Sequence, residues 1–214
     1  MRVKKFQGAV FDLDGTLLDS MGVWEQIDRD SLGRRGIPVP EDYAQAVALR
    51  GFWQAAEYTI RRFGLPDTPQ QLTEEWNQMA QDAYRFRVEL KPGAREYLSR
   101  LREQGVSLSV ATSSYRELFL PALERHGILD WFEAIVTVSE VSRGKGFPDI
   151  YEEAARRMRR LPRECAVFED LPDALRGARE GGFYTVGVFD SHSKEETRLR
   201  QMSDRFIYDF RELL

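Results

Sequence analysis

Two carboxylates stand two residues apart in the run Phe11-Asp12-Leu13-Asp14-Gly15-Thr16, directly after the apolar stretch Gly8-Ala9-Val10-Phe11. In an extended chain residues i and i+2 face the same side, so the pattern puts Asp12 and Asp14 on one face and turns Leu13 away. Two like charges about 4 Å apart repel by about 1 kcal/mol in water, and by more in a drier site. Such a pair asks for compensation, and a hard divalent cation such as Mg²⁺ supplies it through oxygen ligands. The same two groups can also do covalent chemistry, one carboxylate as nucleophile and its neighbour as proton carrier. Gly15 lets the backbone turn sharply just beyond them. An ordinary strand end would look similar, with acids in a turn and Thr16 capping a helix, so the rest of the chain has to decide.

Three further groups carry chemistry. Ala111-Thr112-Ser113-Ser114 comes after an apolar run and precedes a helical pattern; hydroxyls and backbone N–H groups there form a natural cradle for phosphate. Arg143-Gly144-Lys145-Gly146-Phe147-Pro148-Asp149 sets a lysine between two glycines in a loop. Phe168-Glu169-Asp170 closes another apolar run with paired acids, with Pro172 and Asp173 just beyond. Each has a bland reading as a helix cap, a solvated loop or a strand end. Together they occupy successive strand ends and converge on one crevice.

Periodicity shows which elements carry these groups. Short apolar runs over residues 8–11, 106–111, 134–138, 166–168 and 185–189 read as strands, with 206–208 as a sixth at an edge. They alternate with helical patterns over 92–104, stopped by Gly105, and over 115–126, with Pro121 as an irregularity. This alternation predicts an α/β fold, a Rossmann-like parallel sheet with helices on both faces. Residues 20–88 break the alternation: they hold helical stretches only, separated by Gly36-Ile37-Pro38-Val39-Pro40, Gly51 and Gly64-Leu65-Pro66. An insertion of that length after the first strand exceeds any ordinary connection and stands where open parallel sheets bind ligands. It reads as an all-helical cap domain over 20–88, with the core formed by 1–19 and 89–214 and hinges near 17–20 and 88–92. The chemistry expects this cap to open for entry and close to exclude water.

Composition narrows the class. The chain has 214 residues, 42% hydrophobic and 31% charged, with a mean hydropathy of -0.49, as in ordinary soluble globular proteins. With 31 Lys and Arg against 35 Asp and Glu, its net charge of -4 argues against a dedicated binder of nucleic acid or anionic membrane. The run Arg156-Arg157-Met158-Arg159-Arg160 accordingly reads as a solvated helix face. A lone cysteine, Cys165, excludes an internal disulfide and a cysteine-rich metal site and reads as a small buried hydrophobe. No signal-peptide run precedes Asp12 and no window approaches a membrane span, so the expected location is the cytoplasm, with a monomer as the default. His126 and His192 are too far apart in sequence to suggest a catalytic dyad.

Taken in order, Asp12-Leu13-Asp14-Gly15-Thr16, Thr112, Lys145 and Glu169-Asp170 resemble the four motifs of the haloacid dehalogenase (HAD) superfamily. The resemblance covers essentially the whole chain and is to the helical-cap (C1) subgroup, similar to phosphoglycolate phosphatase and the β-phosphoglucomutase-like phosphatases. It implies a phosphatase acting on a small phosphorylated metabolite, in which Asp12 attacks phosphorus to form an aspartyl-phosphate. Asp14 would protonate the leaving oxygen and then activate water. Mg²⁺ would be held by Asp12, the Asp14 backbone carbonyl and Asp170, with Glu169 assisting. Thr112 and the Ser113 backbone would hold the phosphoryl oxygens, and Lys145 would orient the nucleophile and balance charge. Two departures stand out. Gly146 replaces the proline that usually comes after the lysine, and Leu171 and Ala174 replace the serine and glycine usual after the paired acids.

Within that family, Asp14 argues against a dehalogenase, which needs no acid for the leaving group. A sugar-phosphate mutase of the β-phosphoglucomutase group is the alternative. That group uses an arginine shortly after a cap glycine and a histidine shortly after the first motif, where an ungapped alignment puts Gln54 and Trp24; Arg50, beside Gly51, could substitute. Trp24, Arg50, Trp53, Gln54 and Tyr58 are the candidates for substrate contact in the cap. A response-regulator receiver is too short and lacks the insertion. A non-catalytic phosphate-binding protein would not need Asp12, Asp14, Lys145 and Asp170 all intact.

Overall fold

The computed structural model describes residues 6–48 and 52–214. Every residue of β1 (Gly8–Phe11) is buried, as expected of a strand covered on both faces. After it come four helices, α1 (Met21–Arg34), α2 (Tyr43–Ala48), α3 (Phe52–Phe63) and α4 (Pro69–Phe86). The chain then alternates: α5 (Ala94–Glu103), β2 (Ser107–Thr112), α6 (Arg116–Arg125), β3 (Ala134–Thr137), α7 (Asp149–Arg157), β4 (Cys165–Glu169), α8 (Pro172–Glu180), β5 (Tyr184–Val188), α9 (Glu196–Met202) and β6 (Arg205–Ile207). The sheet order is β3-β2-β1-β4-β5-β6, and every pairing is parallel. This is the α/β, Rossmann-like architecture that the alternation predicts. Because β1 lies between β2 and β4, the chain leaves it first to one side and later to the other, which opens a crevice at the carboxyl ends of these strands.

Alternate side chains of the strands feed two cores. On one face Val10, Ala111, Val136 and Val167 pack with Ile150, Tyr151 and Ala154 of α7 and Ala178 of α8. On the other, Phe11 and Phe168 stack with ring centroids 4.4 Å apart, and Tyr97 of α5 and Phe210 close around them. Burying aromatic rings of this size contributes about 1.5–3 kcal/mol each, so neighbouring β1 and β4 are held rigidly just before their functional ends.

Strand ends differ from the apolar pattern by a residue. Thr112 and Glu169 belong to the ladder, opposite Thr137 and Gly187, although both are polar; both are fully buried. Ladder hydrogen bonds are set by the neighbouring strand, whatever the side chain. Val138, conversely, leaves the sheet to open a short 3₁₀ turn, where Glu140 accepts from the Thr137 backbone N–H at 2.9 Å.

Contacts divide the chain into two compact units, Met1–Met21 with Val88–Leu214, and Gly22–Arg87. Among its described residues the regular elements of the second are all helices, joined by turns. In it Leu72, Trp76, Ala80 and Ala83 form one buried stripe of α4 at helical spacing. Arg35 ties Asp67 and Glu75 together at 2.6 and 2.8 Å, and Thr68 with Gln71 forms a capping box at the start of α4. Among the described residues no helix is long and apolar enough to cross a membrane.

Candidate active site

Asp12 stands one residue past β1, and its N–H donates to the Phe168 carbonyl of β4 at 3.0 Å. The ladder therefore extends to the nucleophile candidate and brings it beside Glu169 and Asp170. Asp12, Glu169 and Asp170 are all buried, and each offers a carboxylate oxygen within 4.8 Å of the others. Lys145 donates to Asp12 Oδ1 and to Glu169 Oε1 at 2.6 Å. These four sequence candidates thus meet in one cluster at the carboxyl ends of β1 and β4.

The two adjacent acids differ in their engagements. Glu169 Oε1 takes Lys145 and the Tyr151 hydroxyl at 3.4 Å, while Oε2 accepts the N–H groups of Asp170 and Leu171 at 3.0 and 3.3 Å. Asp170 Oδ1 accepts from Thr16 Oγ1 at 3.2 Å. Its carboxyl lies so close to Gly15 that a Cβ there would come within 2.8 Å of Asp170 Cγ, and Gly15 has φ +84°. Only glycine suits that position.

Asp14 is half-buried and accepts at Oδ1 from the buried Ser20 hydroxyl at 2.6 Å. The turn carrying it is closed by Gly15 N–H to Leu18 O at 3.0 Å and Leu18 N–H to Leu13 O at 2.8 Å. Thr112, fully buried, accepts at Oγ1 from the Ser114 N–H at 3.0 Å. Ser113 is exposed just before α6, and Tyr115 caps that helix without a side-chain hydrogen bond.

Gly146 does not leave the Lys145 loop loose. The backbone of the loop lies on α8, where a Cβ at Gly177 would meet the Lys145 carbonyl oxygen at 2.5 Å and Phe147 N at 2.8 Å. Arg143 adds a bidentate pair to Asp149 at 3.0 and 2.6 Å and covers the Phe147 ring at 4.5 Å. Thr16, Ser20, Tyr151 and Gly177 are therefore part of the site although sequence reasoning does not single them out as site residues. A hydroxyl two or six residues beyond a functional acid, or a buried tyrosine on an amphipathic helix, has no signature of its own. Of the remaining candidates, Trp24 packs edge-on to Phe52 at 5.9 Å in the helical unit. Gln54 and Trp53 are exposed on α3, and Tyr58 accepts from Arg62 at 2.8 Å. Arg50 lies outside the described residues.

Burial first, then the nearby Glu169 and Asp14 charges, push the Asp12 carboxyl up to about 8 against the pull of Lys145. Asp170 is raised well above the usual carboxylate range by burial and by Glu169 and Asp12. Burial opposes the charge on Lys145, but Asp12 and Glu169 outweigh it and hold the ammonium ionised. Once Asp12 and Asp170 are ionised, three carboxylates against one ammonium would leave two negative charges, the charge that one divalent cation neutralises. The donor set fits such an ion: hard oxygens, buried and mutually close. Asp12 and Asp170 would hold it, because both oxygens of Glu169 are already committed within the protein.

A family model described as haloacid dehalogenase-like hydrolase matches residues 6–182. A validoxylamine A 7'-phosphate phosphatase of Streptomyces hygroscopicus is 29% identical over 210 residues, covering 89% of each chain. The fructose-1-phosphate phosphatase YqaB of Escherichia coli is 28% identical over 187 residues, covering 86% of this chain and 97% of the relative. A crystal structure of a HAD family hydrolase from Deinococcus radiodurans, with bound phosphate and sodium, superposes with a TM-score of 0.80 at 25% identity, covering 98% of this chain and 93% of the other.

The seating of the Lys145 loop is open to test by substitution. Gly177→Ala forces the loop off α8 and lowers stability by about 1–3 kcal/mol in urea denaturation. Gly146→Ala, whose new methyl meets nothing closer than Arg176 at 3.6 Å, costs far less; equal costs would contradict the packing. The acidic cluster is open to test by pH. Because Asp12 keeps its proton in the folded protein up to about 8 but loses it near 3.8 when unfolded, the metal-free protein loses stability as pH rises through that window. A divalent cation needs the ionised carboxylates, so the rise in Tm on adding Mg²⁺ is larger at about pH 8 than at about pH 5. Thermal melts in chelator and in Mg²⁺ at both values check this.

Proposed function

The chain belongs to the haloacid dehalogenase-like hydrolases, and we propose that within this family it is a Mg²⁺-dependent phosphatase of small phosphorylated metabolites, sugar phosphates foremost. The observation that carries this reading is the gathering of Asp12, Glu169 and Asp170 in one buried cluster, with the Lys145 ammonium bridging Asp12 and Glu169. A nucleophile, a fixed cation and ligands for a second cation then share one point. The names of the two relatives, one of them a fructose-1-phosphate phosphatase, support a phosphate ester as substrate.

In this reading a carboxylate oxygen of Asp12 attacks phosphorus, and the bond from phosphorus to the ester oxygen breaks. Asp14, presented by Ser20, donates its proton to the departing oxygen. The resulting Asp12 acyl phosphate is then attacked at phosphorus by water, from which Asp14 takes a proton; phosphate leaves and Asp12 is restored. Thr112 and the backbone at Ser113, ahead of the α6 N-terminus, offer donors to the phosphoryl oxygens. Lys145 keeps Asp12 in line and offsets the charge of the transferring group. When bound, Mg²⁺ supplies the further positive charge that lets a carboxylate approach a phosphate dianion. The helical unit serves as the cap, and its aromatic and amide side chains Trp24, Trp53, Gln54 and Tyr58 are the candidates for selecting substrate. The phosphatase reading is preferred to the mutase because Gln54 and Trp24 stand where a mutase needs cations for its second phosphate. The buried, lone Cys165 suits a reducing cytoplasm.

Asp12→Asn is expected to lower hydrolysis of 4-nitrophenyl phosphate by about 10³-fold or more with an unchanged circular dichroism spectrum. Chelation is expected to abolish wild-type turnover and Mg²⁺ to restore it. Normal turnover of the variant, or of the wild type without metal, would contradict the assignment. A panel of phosphorylated metabolites read out by released phosphate identifies the substrate, and a sugar bisphosphate that gave isomerised sugar phosphate would favour the mutase.

A further inference from the structure

The turn that carries Asp14 leaves the sheet, and one neighbouring segment holds residues 17–19 on its far side. Leu17 O accepts from Lys91 N–H at 2.8 Å, Asp19 N–H donates to Glu89 O at 2.9 Å, and Leu18 pairs with Leu90 in antiparallel register. Ser20, one residue beyond this ladder, makes the 2.6 Å bond to Asp14. Where Asp14 points therefore depends on where residues 89–91 are held.

Lys91 ties that segment to the sheet. Its ammonium lies 2.5 Å from Asp190 Oδ2, 3.5 Å from the Phe189 carbonyl oxygen and 3.8 Å from Asp19 Oδ1. Asp190, 1% exposed, lies just past the carboxyl end of β5. Its other oxygen accepts the His192 N–H at 2.8 Å and faces His192 Nδ1 at 3.1 Å. At the other end of the segment, His126 Nε2 is 2.9 Å from Val88 O and Arg125 pairs with Glu89 at 2.9 Å.

A buried ion pair is a costly way to add stability, since well-packed apolar residues often do as well. What it adds is direction: an ammonium and a carboxylate fix position and register where a methyl contact would slide. We infer that Lys91 and Asp190 are positioning residues for the proton carrier Asp14, acting through the paired segments at 17–19 and 89–91. The inference rests on the reading of Asp14 as the acid that protonates the leaving oxygen. Lys91, paired through its charge to Asp190 and through its backbone to Leu17, sets the ladder; the ladder sets Ser20; and Ser20 orients the Asp14 carboxyl toward the ester oxygen.

Leaving groups separate this from a general structural role. An alkyl phosphate such as glycerol phosphate expels a strongly basic alkoxide and needs the proton, whereas 4-nitrophenyl phosphate expels a weakly basic phenolate and does not. The ratio of their kcat/KM values, which report events up to departure of the leaving group, reads the positioning of Asp14. Lys91→Met is expected to lower the alkyl value by about 10–100-fold and the aryl value by less than about 3-fold, with Lys91→Arg recovering most of the ratio. Asp190→Asn should act in the same direction. Should Lys91→Met fail to fold, the double variant Lys91→Met with Asp190→Leu removes the buried charge on both sides and is expected to show the same collapse of the ratio. Asp14→Asn calibrates the measurement. If Asp14→Asn collapses the ratio while the Lys91 and Asp190 variants leave it at the wild-type value, or lower both substrates equally, the inference is overturned and the reading of Asp14 stands. If Asp14→Asn itself leaves the ratio unchanged, the acid assignment fails, and this inference with it.

Discussion

Repulsion among the carboxylates gathered at the ends of β1 and β4 is the constraint around which the rest is arranged. As the proposed nucleophile Asp12 would act only when ionised, yet its burial and the neighbouring Glu169 and Asp14 charges favour the protonated form. Its reactivity in that role would be conditional. Lys145 offsets part of the cost, and the remaining negative charge is what a divalent cation would remove. In the proposed mechanism reactivity and metal binding would thereby be coupled: the proton that would leave Asp12 for attack is the same one that would leave it for coordination.

The sheet makes this crowding tolerable by leaving it no freedom to relax. Phe11 and Phe168 immediately precede Asp12 and Glu169, and their stacked rings hold the two strands in register on one face. Alternation along the strands then turns Asp12 and Glu169 toward the other face, where Tyr151 of α7 and the Lys145 ammonium meet them. The Lys145 loop is seated on α8 through the missing side chain of Gly177. Asp12 reaches the cluster from the end of β1, Glu169 and Asp170 from the end of β4, and Lys145 from the loop before α7, so the charges are held by three separate backbone segments.

The central cluster is legible in the sequence because its residues sit at strand ends, where an apolar run stops at a polar residue. Asp12, Lys145, Glu169 and Asp170 can be named from that pattern and do meet, and the alternation of elements leads to the parallel α/β sheet. Contacts between residues far apart are not legible. Nothing in the chain marks Lys91 as the partner of Asp190, 99 residues away, or Gly177 as the seat of the Lys145 loop; both depend on how helices and strands pack. Its polarity alone sets Thr112 just beyond its strand, whereas ladder bonding to Thr137 draws it inside. Trp24 shows the limit of aromatic signals: one ring at helical spacing can serve an internal cluster with Phe52 as readily as a substrate, and its ring contact within the helical unit is with Phe52.

The adjacent pair Glu169 and Asp170 shows how side-chain length assigns roles to chemically equal groups. Glutamate has one more methylene than aspartate, enough for Glu169 to return Oε2 onto the N–H groups of Asp170 and Leu171 while Oε1 reaches Lys145. Its charge is spent inside the protein, holding the lysine that also meets Asp12. Asp170 is shorter, and its carboxyl stays beside Gly15 and Thr16 at the mouth of the Asp12 turn. With charge-assisted bonds worth about twice neutral ones, exchanging the two acids would draw the bonded carboxylate away from Lys145 and push the longer one into Gly15. The order glutamate then aspartate thus gives the two acids different tasks: one fixes the positive charge, and the next stays where, in the proposed mechanism, a cation and a phosphate would meet Asp12.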